Sequence, residues 1–175
     1  DDIVKLVKEL SPIPLQRILS GSFMMGSRNL SNLPEAICNL SSKEIITGNE
    51  QGKISLQKIA SDKPNWEINL GGTVLEIIPM PIKKLLLIGT DEGKVFLLDK
   101  VSGKIISTYH DHNAPISCIT LDGKEENFVS CGLDGRIVSR NLANKDSTWI
   151  LETQDYEGDI EYLEYSTDSK MLLGS

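Results

Sequence analysis

Apolar and polar residues alternate along this chain in short bursts, not in helical turns. The run Ile45-Ile46-Thr47-Gly48-Asn49-Glu50-Gln51-Gly52-Lys53-Ile54-Ser55-Leu56 reads as an apolar strand, a polar turn ending in Gly, a basic residue and a second, alternating strand. Leu87-Ile88-Gly89-Thr90-Asp91-Glu92-Gly93-Lys94-Val95-Phe96-Leu97 has the same order, and so does Val129-Ser130-Cys131-Gly132-Leu133-Asp134-Gly135-Arg136-Ile137-Val138. The turn glycines Gly52, Gly93 and Gly135 stand 41 and 42 residues apart. Glycine supplies the positive φ of a tight hairpin. Trp66 and Trp149 each follow a turn glycine by 14 residues. Upstream of the turns, Val74-Leu75-Glu76-Ile77, Ile116-Ser117-Cys118-Ile119 and Ile160-Glu161-Tyr162-Leu163 share apolar first and fourth positions. Ile37-Cys38-Asn39-Leu40 fits the same pattern with a shorter loop after it. Leu85 to Ile88 is apolar throughout, as a strand covered on both faces should be. Helical periodicity is confined to Asp2 to Leu10, where Ile3, Val4, Leu6, Val7 and Leu10 form a stripe that Ser11-Pro12-Ile13-Pro14 ends.

Four short strands per period of this length are the arithmetic of a β-propeller blade. The expected fold is all-β: three blades and the start of a fourth, preceded by a short N-terminal helix. Residues 1–32 hold the helix and a flexible connection, Ser20 to Asn32, rich in Gly, Ser and Asn. Residues 33–175 hold the blades, at about 33–72, 73–113, 114–156 and an incomplete 157–175. Met171-Leu172-Leu173-Gly174-Ser175 resembles the run before each turn, but the turn itself is absent. Three blades leave two apolar faces uncovered. The expectation is therefore a piece of a larger propeller, about seven- or eight-bladed, with closure by another chain as the alternative.

The third unit resembles the WD40-repeat family. His112-Asn113-Ala114-Pro115-Ile116-Ser117-Cys118-Ile119 is similar to the family's Gly-His opening and Pro-Val strand, with Asp111 where Gly is usual. Leu121-Asp122-Gly123-Lys124 is similar to its first hairpin turn. The resemblance implies a hydrogen-bonded set of His, Ser or Thr, Asp and Trp that staples each blade. His112, Ser130 and Asp134 match three of those positions, and Arg140 replaces the Trp. The family's Trp-Asp pair is Arg140-Asn141, Leu98-Asp99 and Gln57-Lys58 in the three units, which makes the repeats degenerate. The second unit, Gly93 to Lys104, also resembles the quinoprotein-type propeller repeat, which shares the blade geometry. The resemblance implies a non-catalytic scaffold that binds partner proteins through its faces and loops. The alternative is a propeller enzyme or a small-molecule-binding, quinoprotein-like module, which needs polar groups converging from the innermost strands.

Composition narrows the partners. The chain has 175 residues, 18 Lys+Arg against 25 Asp+Glu, and net charge −7. That balance argues against nucleic acid, whose phosphates require a basic face. No apolar run approaches the roughly 18 residues of a membrane helix. Residues 145–175 carry two lysines and eight acids, so nearly all the net charge lies there. The acidic stretch 152–168, with Glu157, Asp159, Glu161 and Glu164, is a candidate surface for basic protein segments. Its plainer reading is a solvated strand edge that discourages sheet-to-sheet aggregation. The cysteines, Cys38, Cys118 and Cys131, are odd in number and form no Cys-x-x-Cys. They read as buried inert thiols in a reducing, intracellular compartment, cytoplasmic or nuclear. His110-Asp111-His112 lacks a second pair at metal-ligand spacing, so no metal site, catalytic residue or cofactor is expected. Trp66 and Trp149 are expected to pack between blades.

Overall fold

The computed structural model describes residues 34–61, 63–143, 147–152, 160, 162–166, 168–170 and 172–174. The helix expected over Asp2 to Leu10 and the connection Ser20 to Asn32 lie outside the described residues. The described chain is all-β. Strands β1 (Pro34–Ser41), β2 (Glu44–Asn49), β3 (Lys53–Lys58) and β4 (Pro64–Asn69) form one four-stranded sheet in sequential order. Strands β5 (Val74–Met80), β6 (Leu85–Thr90), β7 (Val95–Asp99) and β8 (Ile105–Tyr109) form a second. Strands β9 (Ile116–Leu121), β10 (Asn127–Gly132), β11 (Arg136–Asn141) and β12 (Ser147–Glu152) form a third. Strands β13 (Leu163–Tyr165) and β14 (Leu172–Gly174) make a two-stranded sheet. Every pairing is antiparallel. No helix among the described residues is long and apolar enough to cross a membrane.

The turns between second and third strands explain why the pattern recurs. Gly52, Gly93 and Gly135 have φ of 74°, 73° and 72°. One left-handed residue closes each hairpin at the same place in the period, where a side chain would be strained. Before each hairpin, the first strand carries an irregularity at an equivalent site: between Pro34 and Ala36, between Val74 and Glu76, and opposite Cys131 and Gly132. Such bulges increase twist and re-aim the strand end.

The sheets stack in chain order. The first strand of each lies against the first strand of the next, β1 on β5, β5 on β9 and β9 on β13. Three cores fill the spaces between them. Ile46, Ile54 and Leu56 pack against Leu86, Ile88, Phe96 and Leu98. Leu87, Val95, Leu97 and Tyr109 pack against Ile116, Ile119 and Phe128. Val129, Cys131 and Ile137 pack against Leu163. The second sheet is therefore covered on both faces, and β6 is buried at five of its six positions. This is the physical reason that Leu85 to Ile88 does not alternate.

On the first sheet, the face opposite Ile46, Ile54 and Leu56 carries the exposed Ile37 beside Thr47, Ser55 and Glu67. Thr47 and Ser55 share a hydrogen bond of 3.1 Å, and Glu67 pairs with Lys53 at 2.9 Å. The positions 41 residues on from Thr47 and Ser55 are Ile88 and Phe96. The outer strand of the third sheet has Trp149 and Leu151 at 42% and 52% exposure.

Successive first-hairpin turns are clipped together. Glu125, in the β9–β10 turn, is buried with φ 55°. Its carboxylate accepts hydrogen bonds from the Ile82 amide at 3.1 Å and the Lys83 amide at 2.9 Å, in the β5–β6 turn. Ser169, with φ 56°, accepts from the Gly123 amide at 2.9 Å in the same sense. The left-handed conformations of Glu125 and Ser169 point one acceptor back at the preceding turn.

Candidate functional site

The polar network of the described chain centres on His112, which sits just before β9 and is buried. Its Nδ1 lies 3.0 Å from Asp134 Oδ1, and its Nε2 lies 2.9 Å from Ser130 Oγ. The structure thus brings together the three residues singled out as a staple. Asp134 belongs to the β10–β11 turn and Ser130 to the middle of β10, so one imidazole ties the loop entering the third sheet to two places on that sheet. An ionised carboxylate only accepts, so in the neutral ring Nδ1–H donates to Asp134 and the Ser130 hydroxyl donates to Nε2. Burial alone would raise the Asp134 carboxyl. The amide of Asn113, the His112 ring and the amide of Arg136 hold it below the ordinary aspartate value.

This connectivity is that of a Ser-His-Asp hydrolase triad. Access is the difference. Ser130 lies in a fully buried strand position and the His112 side chain is enclosed. A nucleophile needs room for a reacting carbonyl about 3 Å away, and Ser130 is fully buried. The network joins the loop before β9 to the β10–β11 turn. Gly132 is part of that arrangement, because a Cβ there would stand 2.5 Å from His112 Nδ1 and 2.6 Å from Asp134 Oδ1. Gly132→Ala is expected to break the His112–Asp134 bond and lower unfolding free energy by about 2 kcal/mol, as overpacking does. Urea unfolding measures it, and an unchanged midpoint would mean that the network does not hold the turn.

The two positions at which this unit differs from the WD40 pattern it resembles meet each other. Asp111 stands where Gly is usual and Arg140 where Trp is usual. Arg140 Nε donates to Asp111 Oδ2 at 2.8 Å and Nη2 donates to Oδ1, a two-pronged pair. The side chains are only 17% and 10% exposed. The guanidinium also lies 5.5 Å from the centre of the Tyr109 ring, which meets Phe128 edge-on at 5.1 Å. Arg136 Nη1 donates to the Asp111 carbonyl at 2.7 Å. A planar cation that stacks and forks occupies the place of an aromatic that would only stack.

The other candidates separate. Trp66 is half-buried, and its Nε1–H donates to the Lys100 carbonyl at 2.9 Å in the β7–β8 turn. Gly103 allows that turn to lie against the indole, since a Cβ there would stand 2.6 Å from two ring carbons. Trp66 thus packs between sheets. Trp149, its counterpart, is exposed. His110 is exposed and takes no part in the His112 network. No group of three or more His, Cys, Asp or Glu among the described residues is placed to hold a metal ion. Of the four acidic partner-surface candidates, Glu157, Asp159 and Glu161 lie outside the described residues. Glu164 is exposed on β13 and accepts from the Tyr162 hydroxyl at 2.6 Å.

Sequence reading missed two buried carboxyls. Glu125 was hidden in an ordinary polar turn. Glu76, on β5, has Oε2 buried without a hydrogen-bond partner among the described residues. Burial pushes its carboxyl up to about 7, against a smaller opposing effect of the Ile119 amide. Its one visible signal was position: the residues aligned with it by strand register are Ala36 and Cys118, both apolar in character. Among known proteins, no family model and no curated sequence matches this chain.

Proposed function

We propose that the chain supplies consecutive blades of a WD40-type β-propeller and serves as a non-catalytic scaffold that holds partner proteins. The observation that carries this reading is the recurrence of one antiparallel meander at a 41–42-residue spacing with successive first strands side by side. Radially arranged sheets around an axis have that neighbour relation. The His112–Ser130–Asp134 network supports the family assignment, and its enclosure supports a structural use of those residues. The acidic surplus of residues 145–175 supports a basic segment as the partner, since complementary charge steers encounter.

Two measurements test it. Negative-stain images of the purified chain should show an arc or a ring of discrete blades; a filled two-layer particle would overturn the propeller. Calorimetric titration with a Lys/Arg-rich peptide should give an affinity that falls at least about tenfold between low and physiological salt. The Glu157→Lys, Asp159→Lys, Glu161→Lys, Glu164→Lys variant should lose that binding. Equal binding by the reversed chain would remove the acidic surface from the proposal.

A further inference from the structure

We propose that Cys118 and Cys131 form an oxidisable dithiol, a site at which peroxide joins β9 to β10 through a disulfide. The two residues are direct partners in the β9–β10 register. Directly opposed residues of antiparallel strands have Cα atoms about 4.5–5.5 Å apart. A disulfide accepts Cα separations of about 4.4–6.8 Å, a range that contains the spacing of opposed strand partners. Opposed residues also project to the same face. Here that face is the one covered by Leu163, with Ile160, Tyr165 and Leu172 beside it.

Both thiols are free and enclosed, Cys118 at 5% exposure and Cys131 at 1%. Leu163 of β13 and Leu172 of β14 lie over the pair. Local opening of that hairpin lets peroxide reach the thiols without unfolding the four-stranded sheets. The pair is also chemically unequal. The Cys131 thiol hydrogen-bonds to Cys118 and lowers it from the ordinary cysteine value. Cys131 is raised by that same bond and by burial, with the charges of Glu76 and Asp134 adding to it.

The oxidation takes two displacements at sulfur. The Cys118 thiolate attacks one oxygen of hydrogen peroxide, the O–O bond breaks, and the leaving hydroxide takes a proton to become water. Cys118 is then a sulfenic acid. The Cys131 sulfur attacks the Cys118 sulfur, the S–S bond forms, the S–O bond breaks and a second water leaves with the Cys131 proton. Two electrons pass from the sulfur pair to the peroxide. Cys38, half-buried on β1 against the first core, stands apart from this pair.

The test uses the full chain with Cys38→Ser, so that one intramolecular linkage is available. The folded protein is exposed to hydrogen peroxide, then unfolded, alkylated and digested with trypsin. Cleavage at Lys124 separates Cys118, in residues 105–124, from Cys131, in residues 125–136. The expected product is the two peptides joined, about 2 Da lighter than their sum, and parted by dithiothreitol. Of the Cys118 that is oxidised, the linked share should be at least about tenfold larger than in the same chain oxidised in denaturing urea, because the strands hold the sulfurs together. Recovery of both cysteines alkylated overturns the proposal. So does sulfinic acid at Cys118 with Cys131 free, or an equal linked share in the folded and unfolded chains.

Discussion

Replacing Asp111 by glycine will cost about 3 kcal/mol of stability, the expense of stranding a mostly buried guanidinium. Replacing Arg140 by tryptophan will cost a similar amount, because it strands the Asp111 carboxylate instead. Making both changes together will cost less than their sum by about 2 kcal/mol, the coupling expected between groups in direct contact. The reason lies in the geometry. The two side chains share a two-pronged pair at 17% and 10% exposure, and the guanidinium also covers the Tyr109 ring. Removal of either partner leaves a charge where water reaches it poorly. Removal of both leaves glycine and tryptophan, the residues the family usually has there. Urea unfolding of the four proteins gives the cycle. Strict additivity would show that Asp111 and Arg140 do not stabilise each other, and that their meeting is incidental to the fold.

Stability will fall as pH rises from about 4.5 to about 7, and Glu76 will be the cause. Its folded value of about 7 stands above the ordinary 4.5. Between those values the folded chain keeps a proton that the unfolded chain has released, so raising the pH favours unfolding. The slope from one such group is about 1.4 kcal/mol per pH unit. Across the window this sums to about 3 kcal/mol, fully present below 4.5 and lost above 7. Glu76→Gln removes the titration while keeping the shape. The variant should match the parent at pH 4.5 and exceed it by about 2–3 kcal/mol at pH 8. Parallel stability curves for the two proteins would mean that the Glu76 carboxyl is solvated in the folded state. The partnerless Oε2 beside β9 is the structural origin of the effect.

Local chemistry made much of the fold readable. Gly52, Gly93 and Gly135 announced hairpins because a positive φ at a tight turn selects glycine, and their φ values are those of such turns. The apolar run at Leu85 announced a strand covered twice. His112, Ser130 and Asp134 were legible through the family resemblance, and the structure brings them together. The Asp111–Arg140 pair was visible only as two separate anomalies. They lie 29 residues apart, and nothing local connects them. Glu76 and Glu125 were opaque for the same reason. A carboxyl in a polar-looking stretch shows its burial only when the neighbouring sheet is in place.

By itself, the sequence determined the strand unit: its length, its turns and its spacing. These depend on backbone preferences and on side-chain alternation within a few residues of each other. Tertiary structure decided everything that needs one sheet to meet the next. It paired the two positions that differ from the WD40 pattern the unit resembles, seated Trp66 against the β7–β8 turn, and set Cys118 opposite Cys131. Contacts between residues distant along the chain are set by how faces pack and by which strand register the turns impose. A one-dimensional pattern specifies each face without saying what it will touch.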